Sequence, residues 1–119
     1  MRYKLVVKSN PAPGQEAEYN RWYDEQHIPD VLDVPGFVSA QRFAYAETQM
    51  APNAEPSHRY LAIYDIETDD LPATLAAFRA RGGTPQMVMS DAIDRKSSTM
   101  EIFAEARPMA YPSRRKSAG

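Results

Sequence analysis

No cysteine occurs in this 119-residue chain, which excludes disulfides, thiolate nucleophiles, zinc ribbons and iron–sulfur ligation by cysteine. No run approaches the roughly 18 consecutive apolar residues of a membrane span, so no membrane partner is expected. The start, Met1 to Lys8, alternates and carries lysines where a signal peptide would have an apolar core, which makes the cytoplasm the default compartment. Charge of one sign is also scarce. A formal net charge of −2 gives no general attraction to nucleic acid or to anionic lipid, and Arg114, Arg115 and Lys116 read as a solvated tail among small polar residues. What is there is ordinary for a globular chain: 43% hydrophobic and 25% charged residues. Two separate cores would each be near the lower limit for stable burial, so one domain is expected over residues 1–108, followed by an irregular tail over 109–119.

The most informative stretch runs from Glu16 to Ile28. Tyr19, Trp22, Tyr23, Gln26 and His27 form one stripe of a helical period, with Arg21, Asp24 and Glu25 on the other side. An imidazole therefore faces inward under an aromatic wall. Pro29 disfavours helical geometry at Ile28 and is expected to place His27 in the last turn, near the partial negative charge of the helix end. That position favours imidazolium and burial favours the neutral ring, so titration near neutral pH is expected.

Around this helix the pattern predicts a strand over Tyr3 to Lys8, ended by Pro11-Ala12-Pro13-Gly14, and a turn at Val34-Pro35-Gly36. A second strand follows from Phe37 to Tyr45, with Phe37, Ser39, Gln41, Phe43 and Tyr45 on one face and Val38, Ala40, Arg42 and Ala44 on the other. Glu47 to Ser57 is either a hairpin loop or a mobile flap. His58 to Ile66 is a third strand, with His58, Tyr60, Ala62, Tyr64 and Ile66 on one side. Asp69 or Asp70 caps a second helix that presents Leu71, Leu75 and Phe78 and stops at Gly82-Gly83. Thr84 to Ser97 is weakly patterned, with a short helical turn possible around Met87 to Ile93, and Ser98 to Ala106 is a fourth strand. The order β-α-β-β-α-β is the α+β, ferredoxin-like arrangement: a four-stranded antiparallel sheet with two helices on one face. Strands two and three are apolar on both sides, so the open sheet face is expected to pair with a second copy, giving a homodimer.

Trp22-Tyr23, His27-Ile28-Pro29-Asp30, Val34-Pro35-Gly36-Phe37 and Gln41-Arg42-Phe43 resemble the EthD-like branch of the dimeric α+β barrel superfamily. There the first helix carries an aromatic pair, and a histidine follows four residues after the tyrosine, shortly before a proline. The resemblance implies a dimeric barrel with a pocket between sheet and helices near His27. It identifies architecture better than reaction, because the superfamily includes polyketide cyclases, lactone isomerases, cofactor-free monooxygenases and heme-dependent members.

The functional expectation is a cofactor-independent isomerase, cyclase or dehydratase acting on an aromatic, polyketide or lactone-like metabolite. His27 would be the general acid/base, with Arg42 or a tyrosine hydroxyl, Tyr64 foremost, stabilising an enolate oxygen. Tyr19, Trp22, Tyr23, Tyr60 and His58 would line the substrate. The bland reading makes His27 a core histidine bonded to a backbone carbonyl, Trp22 and Tyr23 core packing, and His58 an exposed residue at a strand start. A non-catalytic binding or accessory protein of a degradation pathway would use the same pocket. His27 and His58 lie on separate elements without metal-ligand spacing, so no metal is expected; axial heme ligation by His27 is possible by analogy alone, and no cofactor is assigned.

Overall fold

A computed structural model describes residues 1–113; the basic cluster at Arg114 to Lys116 lies outside them. Strand β1 (Arg2–Ser9) points Leu5 and Val7 inward and Arg2, Lys4 and Lys8 outward. It is central, pairing antiparallel with β3 (Tyr60–Glu67) on one side and β4 (Thr99–Ala104) on the other. Strand β2 (Phe37–Ala44) completes the sheet beside β3, in the order β2-β3-β1-β4. This is the ferredoxin-like order, fully antiparallel, with both helices on one face.

Strands β3 and β4 are shorter than their sequence patterns predict: β3 starts at Tyr60, two residues after His58, and β4 covers Thr99–Ala104 alone. The larger difference is in β2. A bulge at Val38 shifts the register between Phe37 and Ser39, which oppose Ile66 and Asp65. One residue is left over, so Phe37 turns to the core with Ala40 and Arg42 and not outward with Ser39, Gln41 and Phe43. On β3 the expected alternation holds, and Tyr60, Ala62, Tyr64 and Ile66 face the helices.

The other face combines Val6, Leu61, Ile63, Phe43 and Phe103 with ion pairs Lys4–Asp65 and Arg2–Glu67, the latter at 2.7 Å. A groove of about 530 Å³ opens there, between Lys4, Val38, Asp65 and Phe103.

After the first helical stretch, which holds α1 (Glu16–Trp22) and α2 (Ile28–Leu32), comes α3 (Leu71–Arg81), capped by Asp70, whose carboxylate accepts from the Ala73 N–H at 3.1 Å. Its Phe78 stacks on Phe37 at 5.3 Å, fixing the helix over the bulged end of β2. Gly36, at φ +96°, turns the chain into β2. A Cβ there would lie 3.0 Å from Thr74 Cγ2 on α3, so helix and turn meet at this glycine.

Residues 84–97 form no helical turn; the isolated bridge Gly82–Met87 folds the stretch back on the end of α3, and Pro11–Ile93 ties it to the segment between β1 and the first helix. The loop between β2 and β3 is a hairpin connection closed by Tyr45 N–H donating to Arg59 O at 2.8 Å.

Candidate functional site

The first helix does not stop before Pro29. It runs as α1 (Glu16–Trp22), a π-helical turn (Tyr23–His27) and α2 (Ile28–Leu32) without a break. Proline lacks an N–H, and its ring would strike the carbonyl of the preceding turn in a regular α-helix. Here the ladder widens one residue earlier, with Ile28 N–H reaching back to Tyr23 O, and the wider turn accommodates the proline. Tyr19, Tyr23, His27 and Val31 recur every four residues, a spacing that drifts by about 40° per step in an ideal α-helix. The π-helical turn reduces that drift, and all four are buried. His27 is therefore inside a continuous helix and not at a C-terminus.

Its imidazole stacks on Trp22, with ring centroids 4.5 Å apart and planes 24° from parallel. The Tyr23 ring meets it edge-on at 5.3 Å and 89°. With burial dominant and the Asp30 carboxylate only partly offsetting it, the His27 pKa is lowered to about 4. Titration near neutral pH is thus overturned: the ring is neutral at pH 7, because no helix-end charge stands beside it and water is excluded.

Arg42 reaches from β2 across the same cluster. Its guanidinium lies 4.5 Å from the Tyr23 ring centroid, 5.3 Å from that of Tyr60 and 5.5 Å from that of Tyr19. It donates to Asp24 Oδ1 and Asn20 Oδ1, both at 2.8 Å. Ala40 and Ala44 flank it on the strand and leave it room. Tyr60 donates its hydroxyl to Glu16, and Tyr19 shares a 2.6 Å hydrogen bond with Ser9.

Two buried polar atoms have no hydrogen-bond partner among the described residues: His27 Nδ1 and Tyr64 Oη. Tyr64 lies near the Tyr23 hydroxyl without reaching hydrogen-bond geometry. Burial raises Tyr19, raises Tyr23 to about 12 and pushes Tyr64 well up, so all three are protonated donors at neutral pH. The cluster thus offers a neutral imidazole, neutral phenols and one guanidinium.

Six of the eight residues singled out from sequence, Tyr19, Trp22, Tyr23, His27, Arg42 and Tyr60, are linked by these contacts, and Tyr64 lies beneath them. His58 stands apart and is half-buried rather than exposed: Nε2 lies 2.6 Å from Ser97 O and Nδ1 3.1 Å from Ser57 Oγ. Among the described residues no three His, Asp or Glu side chains are placed to share a metal ion, and no helix is long and apolar enough to cross a membrane.

Sequence reasoning missed Ser9, Asn20 and Asp30. Asp30 was within reach of it, standing four residues after Gln26, whose amide donates to Asp30 Oδ2 at 2.7 Å. Ser9 carried no signal, since only the packing of the helix on the sheet brings β1 under Tyr19.

No family model matches this chain, and no curated protein does. Solved structures do. An EthD family protein from Bacillus halodurans C-125 is 16% identical, covers 88% of this chain and 99% of its own, and superposes with a TM-score of 0.51. MhuD, a heme-degrader from Mycobacterium tuberculosis whose structure holds two hemes in its active site, is 15% identical over 91% of this chain and 99% of that one, at a TM-score of 0.56. HapK from Hahella chejuensis is 15% identical over 95% and 99%, at 0.52. At such identities the likeness is one of fold. The chain has the ferredoxin-like α+β fold that these proteins share, the architecture implied by the EthD-like resemblance at Trp22, Tyr23, His27 and Pro29.

Proposed function

We propose that this chain holds a hydrophobic or aromatic small molecule at the Trp22–Tyr23–His27 cluster and transfers a proton on it, as a cofactor-independent isomerase, cyclase or dehydratase. The observation that carries this reading is the pair of buried atoms without partners, His27 Nδ1 and Tyr64 Oη. Buried polar groups in a finished core are almost always bonded, and each one left alone costs about 1–3 kcal/mol. Two of them in one aromatic cluster, with the Arg42 guanidinium acting on Tyr64, suit the polar atoms of a bound molecule.

A neutral imidazole is the form that accepts a proton next to a carbonyl. The Tyr64 hydroxyl and the Arg42 guanidinium are the groups suited to stabilise the enolate oxygen that forms, and Asp30 offsets the imidazolium. Tyr19, Trp22, Tyr23 and Tyr60 supply the aromatic surface, while His58, bonded to Ser57 and Ser97, would serve the rim. The open sheet face, apolar at Val6, Leu61, Ile63 and Phe43, supports a homodimer through that face. A stable monomer by light scattering at micromolar concentration would overturn the dimer.

A second reading, non-catalytic binding in an accessory protein of a degradation pathway, is favoured by one observation. A histidine lowered to about 4 is a weak base at neutral pH. Exchange of the α-proton of a panel of aromatic ketones and lactones in D2O, followed by NMR, separates the two. Exchange by the parent protein that is lost in His27→Gln supports proton transfer. Saturable binding with no exchange in the parent supports the binding reading, and neither binding nor exchange overturns both.

A further inference from the structure

The segment over residues 84–90, between α3 and β4, crosses the helix face that carries Trp22, Gln26 and Asp30. It has no helix or strand of its own. The peptide groups of Val88 are held from two sides. Its carbonyl accepts from the indole Nε1 of Trp22 at 2.9 Å, and its N–H donates to Asp30 Oδ2 at 3.1 Å. The two side chains come from either side of His27 in the sequence, and one of them is the ring on which His27 stacks. Asp30 is in turn oriented by the Gln26 amide.

Two methionines tie the rest of the strap to the core, Met89 from a half-buried position. Pro85, Gln86 and Val88 are exposed, Val88 at 43%, and Met87 alone is fully buried, in the same core as Trp22 and Tyr23. Both ends are anchored. Gly83 N–H donates to Met87 O at 3.0 Å, and Ala92 O accepts from Ala12 N–H at 2.6 Å. Gly83, at φ +80° with open space where a Cβ would be, gives the near end a backbone that can turn.

We propose that this strap is the gate of the His27 site, and that Asp30 and Trp22 are its latch, closing it by grasping the two peptide groups that flank the Val88 Cα. The inference rests on the reading of the His27 cluster as a ligand site. It adds the route of access: a molecule reaches the imidazole when Val88 lets go, and the chain recloses over it. Asp30 and Trp22 are positioning residues here, acting through the strap. Segments held by few buried contacts are those that open locally without global unfolding.

Carbethoxylation by diethyl pyrocarbonate tests this, because the reagent modifies neutral imidazole and the chain has two histidines. His27 reports the gate and His58 is the internal reference, each followed by peptide mass spectrometry. Asp30→Ala removes the carboxylate side of the latch. Val88→Pro removes the N–H without touching the helix. Each variant is expected to modify His27 roughly tenfold faster than the parent, the factor corresponding to one lost hydrogen bond of ordinary strength, with the His58 rate unchanged. Amide exchange over 84–90 should rise by a similar factor while β1 and β3 stay protected.

Three results would overturn the proposal. One is exchange over 84–90 that does not rise in either variant. Another is exchange that rises there while His27 modification stays at the parent rate. The third is protection lost in β1 and β3 together with the strap, which would make the segment part of the core. The readout is access and not turnover, so such a failure leaves the proposed proton-transfer chemistry to its own test.

Discussion

Trp22 and His27 stack face to face at 4.5 Å, and Trp22 is the sole tryptophan of the chain. Indole emission therefore reports the protonation of one histidine. Imidazolium against indole quenches it, so fluorescence should fall with acidification along a titration centred near pH 4. His27→Gln should abolish that titration. A midpoint near 6.5 would show that the ring is solvated.

The same histidine shapes stability. Its folded pKa is lowered from 6.5 to about 4, so between those values the unfolded chain binds the additional proton. Stability contributed by keeping the ring neutral is therefore full above about pH 6.5 and is lost as pH falls towards 4. The window amounts to about 3 kcal/mol. Urea unfolding at pH 7, 5.5 and 4 should show this slope in the parent and a flatter one in His27→Gln.

Tyr64→Phe should leave the protein as stable or make it about 1 kcal/mol more so, because the deleted hydroxyl is buried and unpartnered. A marked drop in urea midpoint would reveal a hydrogen bond at that hydroxyl. Ligand affinity should move the other way and weaken.

Arg42 and Asp24 form an ion pair at 2.8 Å whose members differ in exposure, 15% against 64% for the side chains. Arg42→Ala removes the cation from three tyrosine faces as well as two hydrogen bonds, and should cost about 2–3 kcal/mol. Asp24→Ala removes an exposed partner and should cost under about 1 kcal/mol. Equal losses in denaturation would place the energy in the ion pair and not in the aromatic cage.

Gly36→Ala combines a positive φ with a Cβ placed 3.0 Å from Thr74 Cγ2. A loss of about 1–3 kcal/mol is expected, measured as a lowered thermal midpoint. Thr74→Ser, which removes that methyl, should recover part of it.

The amino-acid sequence by itself determined the element order, the inward stripe from Tyr19 to His27, a cap at Asp69 or Asp70 and the sharing of one side of β3 by Tyr60 and Tyr64. Each follows from a local period or a local hydrogen bond, which depends on residues a few positions apart. Only the tertiary structure decided the rest. Pro29 stays within the helix because the turn before it widens, and Phe37 faces inward because Val38 is left unpaired against β3. His27 is neutral because Trp22 and Tyr23 keep water from it. Val88 meets Trp22 and Asp30 from 66 and 58 residues away, a pairing that no local pattern encodes and that exists only once the strap lies against the helix.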